Sequence, residues 1–536
     1  MRVLAASDQM IYDKKIEAQN AVKNEKGFSM KQRASLFAYL LVGLLTGVSL
    51  AFETGTPEAE GVSSRAILKW IDAVERDVDA LHSFVLVRHG KVIAEGWWAP
   101  YEKSRPHMLY SLSKSFASTA VGLAVGEGKL SLDDKVVSFF PDKIPAQPSE
   151  NLTRMRVRDL LCMGSGNHND TLKPMREDPA GDWVRIFLAQ PVEHEPGTYF
   201  RYNTGATYML SAIVQKTTGQ KVLDYLTPRL FQPLDIQDAT WETNAQGINT
   251  GGYGLKVKTR DIAALGQLYL QKGRWNGKRL LSEEWVNLAT SKQIGNGDQP
   301  DSDWSQGYGF QFWRCRHHAF RGDGAFGQYC LVMPDQDSVL AITSGLGNMQ
   351  QVLNLVWTLL LPEMTPASVP PDEAAQTLLA QKLRSLTLRP VRADFPQTDI
   401  SEVIGKAYVF SENELGLKSL SLNRDGKGVF FKMNNAHGEQ RIDMGYGEWA
   451  KGEMIFEKAL VKPLGGANGR QAIAASGAWA ASDLYKAQIY FYETPYRLTM
   501  ACRFNKEGSL SLDLEYNVSF DERKWNLIGQ PFPRNK

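Results

Sequence analysis

Ser111-Leu112-Ser113-Lys114 is the one Ser-x-x-Lys in the 536 residues. A serine hydroxyl attacks carbonyls only when something takes its proton, and an uncharged amine nearby can do so. The run 111–126 is rich in Ala, Leu and Val and reads as a buried helix opening at Ser111. A spacing of three puts Lys114 on the same helical face as Ser111. The free N–H groups and partial positive charge of a helix start favour an oxyanion there and disfavour a protonated lysine. An N-cap serine followed by a solvated lysine is the plainer reading. It fits poorly, because Lys114 lies between Ser113 and Ser115 in an otherwise apolar segment.

The elements that must hold this pair follow from periodicity. Residues 65–79 carry Ile67, Leu68, Ile71 and Val74 at helical spacing. Two β-rich runs, 83–87 and 92–98, flank Arg88-His89-Gly90-Lys91, a hairpin signal. Helical segments dominate to about residue 290 and include 259–270, with Thr259 as N-cap and Ile262, Leu265 and Tyr269 on one face. Strand character returns at 308–315, 328–333 and 338–344, and a helix at 349–361 closes the unit. The stretch 362–371 holds four prolines and opens a linker over 362–394. Short β-like runs beyond 395, such as 428–433, 488–492 and 510–518, predict a separate β-rich domain over 395–536. The fold class is therefore α+β: an antiparallel sheet flanked by helices with a helical lobe, plus a C-terminal β-rich domain.

Composition narrows the setting. A chain of this length exceeds what one core usually serves, and 43% hydrophobic with 22% charged residues is ordinary for a globular protein. A net charge of +2 without a basic stripe argues against a nucleic-acid partner. The leader, residues 1–51, contains the uncharged apolar stretch 34–52, preceded by Lys31 and Arg33 and ending near Ser49-Leu50-Ala51. It reads as a secretory signal cut after Ala51, with Met30 a more natural start than Met1. An uncleaved membrane anchor is the alternative. The expected location is thus periplasmic or secreted, or membrane-anchored. Four cysteines are too few for a disulfide scaffold, although Cys315 and Cys330, on neighbouring strands, are candidates for one bridge. Neither the cysteines nor the eight histidines show zinc-site spacing, and nothing in the pattern calls for a cofactor.

Ser-x-x-Lys is a motif of penicillin-binding proteins and β-lactamases. Over about 60–361 the chain resembles the class C β-lactamase and serine esterase superfamily, including 6-aminohexanoate-dimer hydrolase-like members. The ordered segments are 110–116 (YSLSKSF), 130–134 (LSLDD), 157–161 (VRDLL) ahead of Gly164-Ser165-Gly166, Pro196-Gly197-Thr198, 251–254 (GGYG) and Thr259-Arg260-Asp261. The resemblance implies a hydrolase domain over 52–361 that forms an acyl-enzyme on Ser111. It also implies that Tyr202, in Phe200-Arg201-Tyr202-Asn203-Thr204-Gly205, stands where the family's Tyr-x-Asn tyrosine acts as general base. Thr204 then takes the asparagine's position as a substrate-binding residue, since the asparagine here is Asn203. The family's Lys-Thr-Gly or His-x-Gly corresponds to Gly322-Asp323-Gly324, so Gly322 stands where a cation belongs. By the same resemblance Gly324 gives substrate backbone room, and the Ala325 N–H joins that of Ser111 as the oxyanion hole. Arg321 is the nearest other cation, but strand alternation turns it to the other face. The implied activity is cleavage of a small ester or amide, on a small-molecule or short peptide-like substrate. The alternatives are a β-lactamase, a D-alanyl peptidase, or a penicillin-binding sensor with poor turnover.

Overall fold

The structure is a computed structural model that describes residues 52–392, 403–455, 469–521 and 523–532. The leader and its apolar stretch fall outside these residues except for Phe52. Among the described residues no helix is long and apolar enough to cross a membrane.

The hairpin read at Arg88–Lys91 forms. His89 and Gly90 both adopt left-handed φ, 48° and 76°, as a two-residue turn matched to strand twist requires. It joins the strands Leu81–Arg88 and Lys91–Trp97, the first of which pairs antiparallel with Ser338–Ser344. The sheet runs on through Gln328–Met333, Phe320–Gly324 and Trp313–Arg314, while Glu53–Thr54 adds a parallel edge beside Lys91–Trp97. The seven strands thus bring residues 53–97 together with residues 313–344, and the helices between these two stretches form the lobe.

Both faces of the sheet are covered, so its central strands are apolar on each side. Val85, Val87, Cys330, Val332, Val339 and Ala341 share one core with the helices Ser113–Gly126, Thr204–Thr218 and Thr259–Leu270. Phe84, Leu86, Tyr329, Leu331, Leu340 and Ile342 share the other with the helix Ser64–Asp77 and the helical run that starts at Met349. Each fully buried Leu, Ile or Val here contributes about 1.5–3 kcal/mol. Gly266 lets the Thr259–Leu270 helix close on the sheet: a Cβ there would stand 2.5 Å from Val339 and 2.9 Å from the Cys330 sulfur.

Within the segment read as a linker, Glu373–Ser385 is a helix capped by Asp372, and Leu379 is buried against the helix Ser64–Asp77. The prolines end the preceding helix but do not extend to this part of the segment. Cys315 and Cys330 do not form the bridge that was a candidate. Both are free and buried, one in each core, on opposite faces of the sheet.

The C-terminal region is a ten-stranded antiparallel sheet in a near-barrel, running from Ala407–Phe410 to Lys524–Pro531. It lies in the same compact unit as the sheet described above. Its loops grip the segment 101–108 that leads to Ser111: Met108 N donates to Glu493 O at 2.9 Å, and Tyr101 Oη donates to Thr494 O at 2.9 Å.

Candidate active site

Ser111 sits in a single 3-10 turn, Tyr110–Leu112, that runs directly into the helix Ser113–Gly126. The side chain is half-buried and lines a pocket of about 880 Å³ together with Asp170, Tyr202, Thr204, Trp313, Asp323 and Ala325. One turn on, Lys114 is 1% exposed. Its Nζ lies 3.0 Å from Ser111 Oγ, 3.3 Å from Thr204 Oγ1 and 2.9 Å from Gly252 O. A neutral amine has two hydrogens and one lone pair. The Gly252 carbonyl can only accept and Thr204 Oγ1 can accept, which leaves the lone pair for the Ser111 proton.

Burial is the largest influence on Lys114 and brings its pKa down to about 7, with Asp170 and Asp323 pulling the other way. The amine is therefore substantially uncharged near neutral pH. Tyr202 behaves oppositely. Burial pushes its hydroxyl far above the usual tyrosine range, and a hydrogen bond with Ser111 offsets only part of that. The Tyr202 ring stacks on Trp313 at 5.4 Å, with Lys114 Nζ 4.8 Å from its centroid. Burial disfavours the charged form of both groups, so it favours a neutral amine at Lys114 and a neutral hydroxyl at Tyr202. The protonated Tyr202 hydroxyl thus stands beside the nucleophile at the position the resemblance gives to the base.

Asn203 turns away from the pocket. Its Oδ1 caps the helix Thr204–Thr218 by accepting from Gly205 N at 3.1 Å, and its Nδ2 donates to Ser165 Oγ and Asn167 Oδ1. Thr204 instead presents its hydroxyl to Lys114.

Opposite the nucleophile runs the strand Phe320–Gly324. Gly322 faces the Ser111 helix, and a Cβ there would lie 2.3 Å from Leu112 Cδ1 and 2.7 Å from Ser115 Oγ. Gly324 is not the opening for substrate that the motif implied. A Cβ there would lie 2.0 Å from Leu109 O and 3.1 Å from Leu112 N, so its missing side chain lets the strand press on the nucleophile's own turn. Arg321 points to the other face, as alternation required, and is fully buried. Its Nε donates to Asp323 Oδ2 at 2.8 Å, its Nη1 donates to Asp303 O at 2.6 Å, and the Trp304 ring lies 4.3 Å away. Asp323, two residues on, shares that face and lines the pocket, where burial pushes its carboxyl upward against the pull of Arg321.

Three site groups were not singled out from sequence. Asp323 lay within the third motif but was not read as a side chain. Asp170 accepts from Thr204 N at 3.1 Å from a loop without periodicity. The Gly252 carbonyl had a signal in the Gly251-Gly252 pair, where Gly251 adopts φ 67°.

The chain is similar to known proteins of one family. A 6-aminohexanoate-dimer hydrolase of Paenarthrobacter ureafaciens is 25% identical over 279 residues, covering 48% of this chain and 71% of that protein. Protein flp of Staphylococcus aureus is 25% identical over 204 residues, covering 35% of this chain and only 41% of that protein. A solved structure described as a putative 6-aminohexanoate-dimer hydrolase from Bacillus anthracis aligns with a TM-score of 0.45 at 18% identity, covering 62% of this chain and 86% of that one. The model of the beta-lactamase family matches residues 74–359, just over half of the chain and including Ser111 and the helix Ser113–Gly126. The chain belongs to the beta-lactamase family of serine hydrolases.

Proposed function

We propose that this protein cleaves small esters or amides through an acyl-enzyme on Ser111, with Lys114 as the general base. The observation that carries the proposal is the buried Lys114 amine, 3.0 Å from Ser111 Oγ and with a pKa brought to about 7. In acylation Ser111 Oγ bonds to the substrate carbonyl carbon as its proton passes to Lys114 Nζ. The N–H groups of Ser111 and Ala325 receive the oxyanion. The bond to the leaving group then breaks, with the proton delivered through Tyr202, which is replenished from Lys114. Water repeats the sequence on the ester, with Lys114 again the base, and frees Ser111.

The substrate we propose carries no carboxylate next to the scissile bond. Gly322 supplies no cation, and Arg321 is buried and neutralised by Asp323, so neither offers a positive charge to the pocket. A charge-assisted hydrogen bond to a substrate carboxylate contributes about 1.5–3 kcal/mol, or about 10- to 100-fold in affinity, and this wall withholds it. Lys173 and Arg176 also line the pocket, but both are exposed on the short helix Leu172–Glu177. We propose export as well, on the apolar stretch 34–52, and sequencing the N-terminus of mature protein tests it.

The test of function is intact-mass detection of adducts from a p-nitrophenyl ester, a cephalosporin and a D-alanyl peptide, with turnover assayed in parallel. The ester should acylate and turn over fastest, and Ser111→Ala should abolish both. Cephalosporin turnover rivalling the ester at neutral pH would overturn the substrate class. Undiminished activity in Ser111→Ala would overturn the nucleophile.

A further inference from the structure

Two residues of the hydrolase framework hold backbone conformations that bulky side chains avoid. Tyr110 has φ 48° and Phe326 has φ 67°. Tyr110 immediately precedes Ser111, and Phe326 immediately follows Ala325. The two strained residues therefore flank the two backbone donors proposed as the oxyanion hole.

Their side chains meet edge to face at 5.5 Å, and both enter the aromatic core of the C-terminal near-barrel. The Tyr110 hydroxyl is hydrogen-bonded to the Tyr496 hydroxyl. Phe326 lies 6.1 Å from the Tyr496 ring. Phe520 packs on both, 5.8 Å from Tyr110 and 4.8 Å from Phe326, while remaining 52% exposed. The loop bearing Phe520 is tied to the hydrolase sheet by Asn517, whose Nδ2 donates to Gly345 O at 3.0 Å. Leu346 N, in the same sheet-end loop, donates to Phe326 O at 2.9 Å.

We propose that the C-terminal domain is part of the catalytic apparatus: Tyr496 and Phe520 are positioning residues that clamp Tyr110 and Phe326 and thereby hold the oxyanion hole in register. The inference rests on Ser111 as nucleophile. Left-handed backbone at a tyrosine and a phenylalanine persists only where surroundings over-determine it. Here those surroundings are supplied by side chains from 170 residues or more further along the chain. If the clamp loosens, both residues can relax toward ordinary φ, which swings the Ser111 and Ala325 N–H groups off the developing oxyanion.

The test uses the full-length protein, p-nitrophenyl butyrate as substrate and phenylboronic acid as the tetrahedral adduct former on Ser111. Phe520→Ala should fold normally because the ring is half-exposed, and Tyr496→Phe removes only the hydroxyl. Deleting an oxyanion donor costs about 10²–10³-fold in kcat, and loosening one should cost about tenfold in each variant. Phenylboronic acid affinity should fall in parallel. KM should stay near wild type in Tyr496→Phe, whose residue does not line the pocket, and Phe520→Tyr should restore kcat. A role in stability alone would lower Tm and leave the kcat and boronate affinity of the folded enzyme unchanged. A loss of kcat below about threefold in both variants overturns the clamp, as does a loss without weaker boronate binding. Ser111→Ala, run alongside, separates the two levels: if it keeps esterase activity the nucleophile is wrong, and if it is dead while the clamp variants are normal, only the clamp is wrong.

Discussion

Lys114→Met should make the protein more stable and nearly inactive, and the stability gain should shrink as pH rises. The ordinary lysine value is 10.5 and Lys114 is brought to about 7, because burial disfavours the charged amine. At about 1.4 kcal/mol per unit, holding this side chain in the fold costs about 5 kcal/mol wherever the unfolded chain carries the proton and the folded one resists it. The sign follows from proton counting. Between pH 7 and 10.5 the unfolded chain binds a proton that the native state lacks, so native stability rises with pH across that window. Below about 7 both states are protonated and the penalty is constant. Methionine removes the titration and has similar length, so the variant leads by up to about 5 kcal/mol at pH 6.5, less what the lost hydrogen bonds contribute. That lead should narrow by about 2–3 kcal/mol between pH 7 and 9. Denaturant titrations of both proteins at the two pH values measure it. Wild-type kcat/KM for a neutral ester should rise through the same pH, near 7, as Lys114 loses its proton. The variant should lose at least about 100-fold in kcat. A stability gap that does not change from pH 7 to 9 would mean that Lys114 stays charged in the native state, and the assignment of the base would fall with it.

Gly322→Ala should lower stability by about 1–3 kcal/mol, because its Cβ would meet buried Leu112 and Ser115. For the same reason Gly322→Lys should not gain cephalosporin hydrolysis, which a parallel nitrocefin assay would show. Thermal melts with and without a reductant should superimpose, since Cys315 and Cys330 occupy different cores on opposite faces of the sheet.

Most of the framework was legible because it is local. The hairpin at residues 88–91 needs only two positions that tolerate positive φ, and helix Thr259–Leu270 shows its buried face in Ile262, Leu265 and Tyr269. The helix at 373–385 was not anticipated, because the prolines before it speak only for 362–371 and its burial depends on the helix Ser64–Asp77, some 300 residues earlier. The cysteine pair was misjudged for a related reason. Adjacent strands bring sequence-distant residues close, but whether two side chains share a face depends on register. Here Cys330 is opposite Gly322, whose face looks toward the Ser111 helix, while Cys315 faces Arg321 on the other side.

The site divides along the same line. Ser111 and Lys114 lie three residues apart on one helical course, so their meeting was fixed before any tertiary contact. The roles of Tyr202 and Asp323 depend on what surrounds them. Tyr202 has the sequence position of the family's base, but burial beside the Trp313 ring favours its protonated form. Asp323 follows from Arg321 by strand alternation: once the arginine is buried among Trp304, Trp313 and Tyr329, the residue two along must share its face and answer its charge. The displaced asparagine completes the pattern. Asn203 precedes the first helical residue and is used as the cap, and the next position, Thr204, reaches Lys114 with a hydroxyl that can accept from the amine or rotate to donate elsewhere. A threonine there leaves the lysine lone pair free for the serine, which suits the proposal that Lys114 takes the proton.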